Sequence, residues 1–417
     1  MAEQRNIVVL GASAAGVPTT HYILKHILPP LKAKDDAVYH VYMIAPSSAM
    51  YYRVGSPRVA ASTARMSTDR IVLDLSKGFE HYPANDFTFV EALATSLDTT
   101  SRTISYCKET TSEEERLSYH ALIIATGSRT YHQAFSQSGN LSTTLDAIQD
   151  INTKVETAQK IVIVGGGPTG VEFAGEVAEH RNGKPGWFHV IKPNAEITLI
   201  TSGKRLLPTL RHSIGKAAEA KLIALGVDVT YGTRVTNTSI ENGSTKITLQ
   251  DGKELQADLY VPAHGVQPNS SWLPQELLDE KMYLKTNSQT LRVDTAGPRV
   301  YALGDIASYS NNNIQSITDG QPVLYINLKR DLLSFDPRSP DAGPKGNDKI
   351  YTPETRENQI VPIGSQGGVG AILGYRLPSF LVWLIKGRDY MVKMYGVPMA
   401  SGASVSREFT WTEESTN

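Results

Sequence analysis

Three glycines, Gly165, Gly167 and Gly170, stand at the spacing G-x-G-x-x-G inside IVIVGGGPTGVEFAGE. An apolar β-branched run precedes them and a helix-forming run follows. At that spacing the first glycine permits a tight turn. The second lets the backbone approach a pyrophosphate, and the third lets helix and strand pack closely. The helix N-terminus then meets the negative charge. A purely structural glycine turn is the alternative.

A second run, Gly11-Ala-Ser-Ala-Ala-Gly16, follows the strand-like IVVL and has Ser13 in place of the middle glycine. Serine is small, so close approach survives, with a hydroxyl near the phosphate. Gly304-Asp305 closes the strand-like VYAL. Asp305 can accept from a ribityl hydroxyl while the following backbone meets a phosphate; the competing role is a helix cap. Together these segments call for two bound dinucleotides, with Asp305 placed as it would be for a flavin.

The acid that commonly holds the adenosine ribose is missing from both units. The first unit reads MIAPSS, leaving Ser47 or backbone; Asp35 and Asp36 precede the strand. The second reads LITSGKRLLP, where Ser202, Lys204 and Arg205 can meet a 2′-phosphate. This tilts the expectation toward NADPH, unless the two cations are simply solvated. Glu172 and Glu176 lie one turn apart on the second motif's helix. Glu172 is read as facing the nicotinamide, against the plainer role of an acid favoured by the helix dipole. His264, in the turn AHG, is expected to line the same cleft, and His120 to be structural.

Other chemistries find no residues. A single cysteine, Cys107, excludes an internal disulfide, a CxxC pair and a cysteine-rich metal site. There is no HExxH and no G-x-S-x-G, so neither a metal site nor a hydrolase elbow is expected. The net charge of −1 gives no footprint for nucleic acid. The chain enters its first strand almost at once, so no secretion signal is expected, and residue 2 is Ala, not the glycine of a myristoylation signal. The uncharged stretch Asn358–Tyr375 has five glycines in eighteen residues, too few apolar groups for a membrane span.

The elements that must position these residues are two βαβ openings about 155 residues apart. The strand ALIIATGSRT ends the first unit's core in a glycine turn, and LYVPAHGVQPNS does the same for the second. The expected class is α/β, with two Rossmann-like dinucleotide-binding domains and a C-terminal α+β element. The expected boundaries are 1–145 and 271–335 for the first domain, interrupted by 146–270 for the second. A Pro- and Gly-rich linker follows at 336–355, then a C-terminal element at 356–417. Within it, Pro378–Gly396 is apolar first and basic after, as for a helix packed on the first domain or at a dimer interface.

With these segments in view, the chain resembles the pyridine nucleotide-disulfide reductase superfamily. The supporting residues are GASAAG, SPRVA (56–60), ATG (125–127), GGGPTGVEFAGE and ALGDIA. Within it the chain is most similar to the apoptosis-inducing-factor-like branch, including ferroptosis-suppressor-like proteins, near the type II NADH dehydrogenases. The resemblance implies a glutathione-reductase-like arrangement. FAD would be held by Gly11, Ser13, Gly16, Ala125, Thr126, Gly127, Gly304 and Asp305, with Arg58 near the flavin or its phosphates. NAD(P)H would be held by Gly165, Gly167 and Gly170, with Glu172 near the nicotinamide. Gly367 and Gly368 would approach the isoalloxazine or a quinone entrance. Hydride would pass from nicotinamide to flavin, then two electrons to a quinone-like small-molecule acceptor. The dithiol of the disulfide reductases is absent. A flavin oxidase or reductase of a specialised metabolite, or a redox-sensing interaction module with little turnover, remain alternatives. A cytoplasmic protein is expected, monomer or homodimer, with membrane contact through the C-terminal element left open.

Overall fold

The computed structural model describes residues 3–108, 111, 113–137, 139–184, 192–340 and 342–410. Its first sheet uses β1 (Gln4–Leu10), β2 (Val38–Ala45), β3 (Phe87–Glu91) and β4 (Ala121–Ile124). The second uses β5 (Lys160–Val164), β6 (Glu196–Ile200), β7 (Val227–Thr230) and β8 (Leu259–Pro262). The chain then returns to the first sheet with β9 (Val300–Ala302). The spatial orders are β9-β4-β1-β2-β3 and β7-β6-β5-β8, and every pairing is parallel. The runs VVL, ALII and IVIV are therefore buried on both faces, as strands of a parallel sheet covered by helices must be.

In each unit the first strand leads through a glycine turn into a helix: α1 (Gly16–Tyr22) and α3 (Pro168–Asn182), with the short α2 (Ser56–Ala61) between them in sequence. The helix begun by α1 continues through Ile23–Ile27 and Leu28–Lys34, past Leu28. Pro29 and Pro30 sit at the start of its last segment, where their missing N–H groups cost little. The ENGS turn forms a two-residue hairpin between Glu241 and Ser244, with Asn242 and Gly243 both at positive φ.

Two short antiparallel crossings join the units. Ser128 pairs with Pro268 and Arg129 with Gln267. Beside them the Asn269 amide donates to Thr126 O at 2.9 Å and the Thr126 hydroxyl donates to Asn269 O at 3.1 Å. The ATG turn of the first sheet is thereby fastened to the chain leaving the second.

After α4 (Ile314–Ser334) come the exposed residues 337–340 and 342–347 and then a hairpin of Gln359–Pro362 with Gly368–Ile372. The Pro378–Gly396 segment is a short helix, Ser379–Val382, followed by wide turns at Trp383–Gly387 and Val392–Gly396. It packs on both units. A Cβ on Gly175 would lie 2.9 Å from Ile363, so only glycine lets α3 approach this hairpin so closely. At the other end, the His21 ring stacks on Phe79 at 3.9 Å and bonds Ala400 O at 3.1 Å, while Lys25 donates to Gly402 O at 2.6 Å. No helix among the described residues is long and apolar enough to cross a membrane.

Candidate active site

Both glycine turns are built as cradles at the C-terminal ends of their sheets, the edge where parallel α/β sheets take ligands. In the second, Gly165 has φ +140°, and a Cβ there would strike the Ala263 carbonyl. A Cβ on Gly170 would run into the Gly165 carbonyl. Gly167 differs: its φ is −81°, and nothing lies within 4 Å of a Cβ built on it. Two glycines shape the turn, and the third leaves open a space that a pyrophosphate would fit.

The first unit repeats this geometry. Gly11 has φ +110° with its Cβ position against Ala125 O, and Gly16 abuts the Gly11 carbonyl. Ser13 occupies the open position and is exposed. Gly304, at φ +86°, lies against Ala15 in the same turn, since its Cβ would be 3.2 Å from that of Ala15. The cradle, the Ala125–Gly127 turn and Asp305 therefore converge, and their shape and donors fit the diphosphate of FAD.

Asp305 is buried, and its carboxylate accepts from Ser128 Oγ at 2.8 Å and Arg53 Nη1 at 3.0 Å. Arg53 was missed in the sequence, where Arg58 was the arginine assigned to the flavin. In the structure Arg58 is buried in a different network. It donates to Glu176 Oε1 through Nε and Nη2 at 3.0 and 2.7 Å, and to Gly387 O at 2.6 Å. Only four residues, 54–57, separate the two arginines in the chain, and α2 turns the second away from Asp305 toward α3.

That network joins three parts of the chain. Arg65 pairs with Glu176 at 3.1 Å and with Glu179 at 2.8 Å. Tyr390 donates its hydroxyl to Glu176 Oε1 at 3.0 Å, and its ring lies under Arg58 at 4.7 Å. Glu176 is wholly buried, so these partners offset a desolvation cost of several kcal/mol per ion.

Glu172, one turn earlier, is also buried. Its partner is Lys386 Nζ at 2.5 Å, which also donates to Ile360 O at 3.1 Å. Burial pushes the Glu172 carboxyl up to about 7, against the pull of the Lys386 ammonium. The carboxylate assigned to the nicotinamide thus meets the C-terminal element. Lys386, also missed, was visible only as a basic residue ending an apolar run.

The other predicted positions divide. Ser202 and Lys204 are exposed at the end of β6, and Arg205 donates to Pro208 O at 2.6 Å. Ser47 is buried, and its hydroxyl accepts from Ala49 N at 3.1 Å, closing a turn after β2. Asp35 is engaged with Arg5 at 2.7 Å, away from the cradle. His264 is exposed beside Tyr131. Gly367 and Gly368 are buried against Ser379, whose hydroxyl accepts from Gly368 N at 3.0 Å. Their glycine identity therefore serves packing of the hairpin. His120 is half-buried, its ring edge-on to Phe335. Among the described residues no cluster of three His, Cys, Asp or Glu side chains could hold a metal. A cavity of about 1050 Å³ lies at the other end of β1, lined by Arg5, Lys34 and Phe335. It is far from both cradles and belongs to neither.

A profile of the pyridine nucleotide-disulphide oxidoreductases matches residues 5–322, which include both cradles and Asp305. The chain belongs to this family. As a family member it is an FAD- and NAD(P)H-dependent oxidoreductase, although its one cysteine, Cys107, lies on an antiparallel strand remote from either turn. It is 39% identical over 397 residues to Oxidoreductase phnG of Penicillium herquei, covering 93% of this chain and 94% of that protein. It is 30% identical to Oxidoreductase ptaL of Pestalotiopsis fici, covering 92% and 95%. In fold it is similar to the sulfide:quinone oxidoreductase of Aquifex aeolicus, with a TM-score of 0.69 at 15% identity, covering 95% of this chain and 92% of that one.

Proposed function

We propose that the protein is an NAD(P)H:acceptor oxidoreductase of the apoptosis-inducing-factor-like branch that reduces a small quinone-like molecule. When bound, FAD supplies the two-electron chemistry that links the nicotinamide nucleotide to the acceptor. The chain supplies two pyrophosphate cradles, a buried carboxyl and the surfaces that exclude water.

One observation carries the choice of acceptor: the buried Glu172–Lys386 pair under an apolar surface. Reducing a quinone by two electrons consumes two protons. A carboxyl at about 7 with an ammonium beside it can hold and deliver a proton at neutral pH. The segment that carries Lys386 also exposes Phe380, Trp383 and Leu384. That face suits an apolar acceptor, or a membrane surface in which such an acceptor is dissolved. Arg388, exposed next to it, adds positive charge.

The test is anaerobic reduction of the purified holoprotein by NADPH or NADH, followed by mixing with a short-chain quinone. Bleaching of the flavin band and its rapid recovery with quinone are the expected result. Bleaching without recovery, except with a non-quinone aromatic metabolite, would move the assignment to a specialised reductase. A flavin that neither nucleotide bleaches would leave a sensing role.

Nucleotide preference rests on the end of β6. No acid stands there to bind the ribose 2′-hydroxyl, and Lys204 is exposed at the surface. Lys204→Ala with Arg205→Ala is therefore expected to raise KM for NADPH by about tenfold, the scale of one or two charge-assisted bonds. KM for NADH should hardly change. Equal effects on both nucleotides would remove the case for NADPH.

A further inference from the structure

Two exposed rings, one from each unit, meet at the edge of the second sheet. Tyr131, just past the first crossing strand, is 52% exposed. His264 follows β8 and is exposed as well. Their ring centroids lie 4.9 Å apart, with planes inclined by 37°. The turn between them is tight: Gly265 has φ +60°, and a Cβ there would sit 3.7 Å from Tyr131 Cε2. A ring left half-exposed at a surface contributes less to the free protein than a buried one, and its face stays open to a planar ligand.

The sheet order says what passes over them. The glycine cradle closes β5, and its neighbours are β6 on one side and β8 on the other. A dinucleotide with its pyrophosphate on this cradle sets its adenosine ribose at the end of β6, where Ser202 and Lys204 stand. Its other half must then run toward the end of β8. His264 is there, directly after Ala263, whose carbonyl abuts Gly165. The planar group in that half is the nicotinamide.

We propose that Tyr131 and His264, in contact with each other, together clamp one face of the nicotinamide ring, leave its other face to the flavin, and act as positioning residues for it. The inference rests on the nucleotide-dependent reductase reading given above. Because one ring comes from each unit, the clamp exists only at the junction, which is where the nicotinamide must face the first sheet. Aromatic pairs contribute beyond their buried area, and a π face also attracts a cation. The oxidised nicotinamide carries a positive charge, so the clamp should hold the oxidised nucleotide more firmly than the reduced one.

The experiment compares two ligands on the FAD-loaded full chain by titration calorimetry: the oxidised nucleotide, and the matching ADP-ribose, which lacks the nicotinamide. Tyr131→Ala and the double variant with His264→Ala should weaken the oxidised nucleotide about three- to tenfold. ADP-ribose should bind as before, and Tyr131→Phe, which keeps the ring, should behave as the wild type. An equal loss for ADP-ribose would assign the rings to the adenosine side and overturn the clamp. No loss for either ligand in variants that bind FAD normally would overturn it too. A wild-type protein that binds neither ligand would overturn the reductase reading itself, and the clamp with it.

Discussion

Gly167→Val should yield a folded yellow protein that NAD(P)H no longer reduces. The backbone at Gly167 has φ −81° and ψ −178°, which valine adopts without strain, and a Cβ there meets no protein atom within 4 Å. The fold therefore tolerates the change, while the new methyl groups fill the space through which the backbone approaches a pyrophosphate. Losing that approach removes charge-assisted bonds worth roughly 3 kcal/mol together, or about a hundredfold or more in affinity. The first cradle, at Gly11, Ser13 and Gly16, where FAD is proposed to sit, is untouched and should keep its flavin. The measurement is the flavin spectrum of the purified variant and its anaerobic bleaching by the nucleotide. Gly170→Val is the contrast, since its Cβ collides with the Gly165 carbonyl and should cost the fold itself. If Gly167→Val bleaches at the wild-type rate, the second cradle does not hold the nucleotide.

The second large effect falls on the other half-reaction. Glu172→Gln should slow recovery of the reduced flavin by quinone about a hundredfold or more, within the range of general acid catalysis. Bleaching by the nucleotide should be little affected. The pH dependence has a definite sign. Burial raises the carboxyl to about 7, so it carries its proton below that value and loses it above. The acceptor step should be fast on the acid side, fall through about pH 7, and lose that inflection in the glutamine variant. Stopped-flow reoxidation from about 1.5 pH units below that raised value to about 1.5 above it, which spans nearly all of one group's titration, reads both. An unchanged profile in Glu172→Gln would sink the proton-donor role.

How far the sequence could be read follows from what each residue depends on. The cradles are local: turn, strand and helix lie within a dozen residues, and glycine is demanded by backbone geometry alone. Asp305 was also legible, because it follows directly on a buried strand. The partners of these groups were not. Arg53 and Arg58 are similar in sequence context, and only the turn of α2 decides which one meets Asp305. Glu172 has the helix position expected of it, but its neighbour Lys386 lies 214 residues away, in a segment with no regular periodicity. Gly367 and Gly368 came into view only through the family resemblance, and their contact with Ser379 could not be read from their own stretch. The exposed Tyr131 drew no attention because nothing in its own stretch, GSRTYHQ, carries a pattern. It gains meaning only when His264 is brought beside it.

The C-terminal element gives the molecule one more property. Its grip on the rest of the chain does not run through the peptide bonds of residues 336–347. Lys386 and Tyr390 reach the glutamates of α3, Gly364 and Ser365 lie against Glu179, and Ala400 and Gly402 are tied to α1 and the turn beyond it. The connecting stretch, by contrast, is open to solvent, with the Arg338 side chain 88% exposed. The molecule is thus two interlocking pieces on one thread. A cut at Arg338 would sever the thread and leave the lock closed, because the contacts of Lys386 with Glu172 and of Tyr390 with Glu176 would both remain.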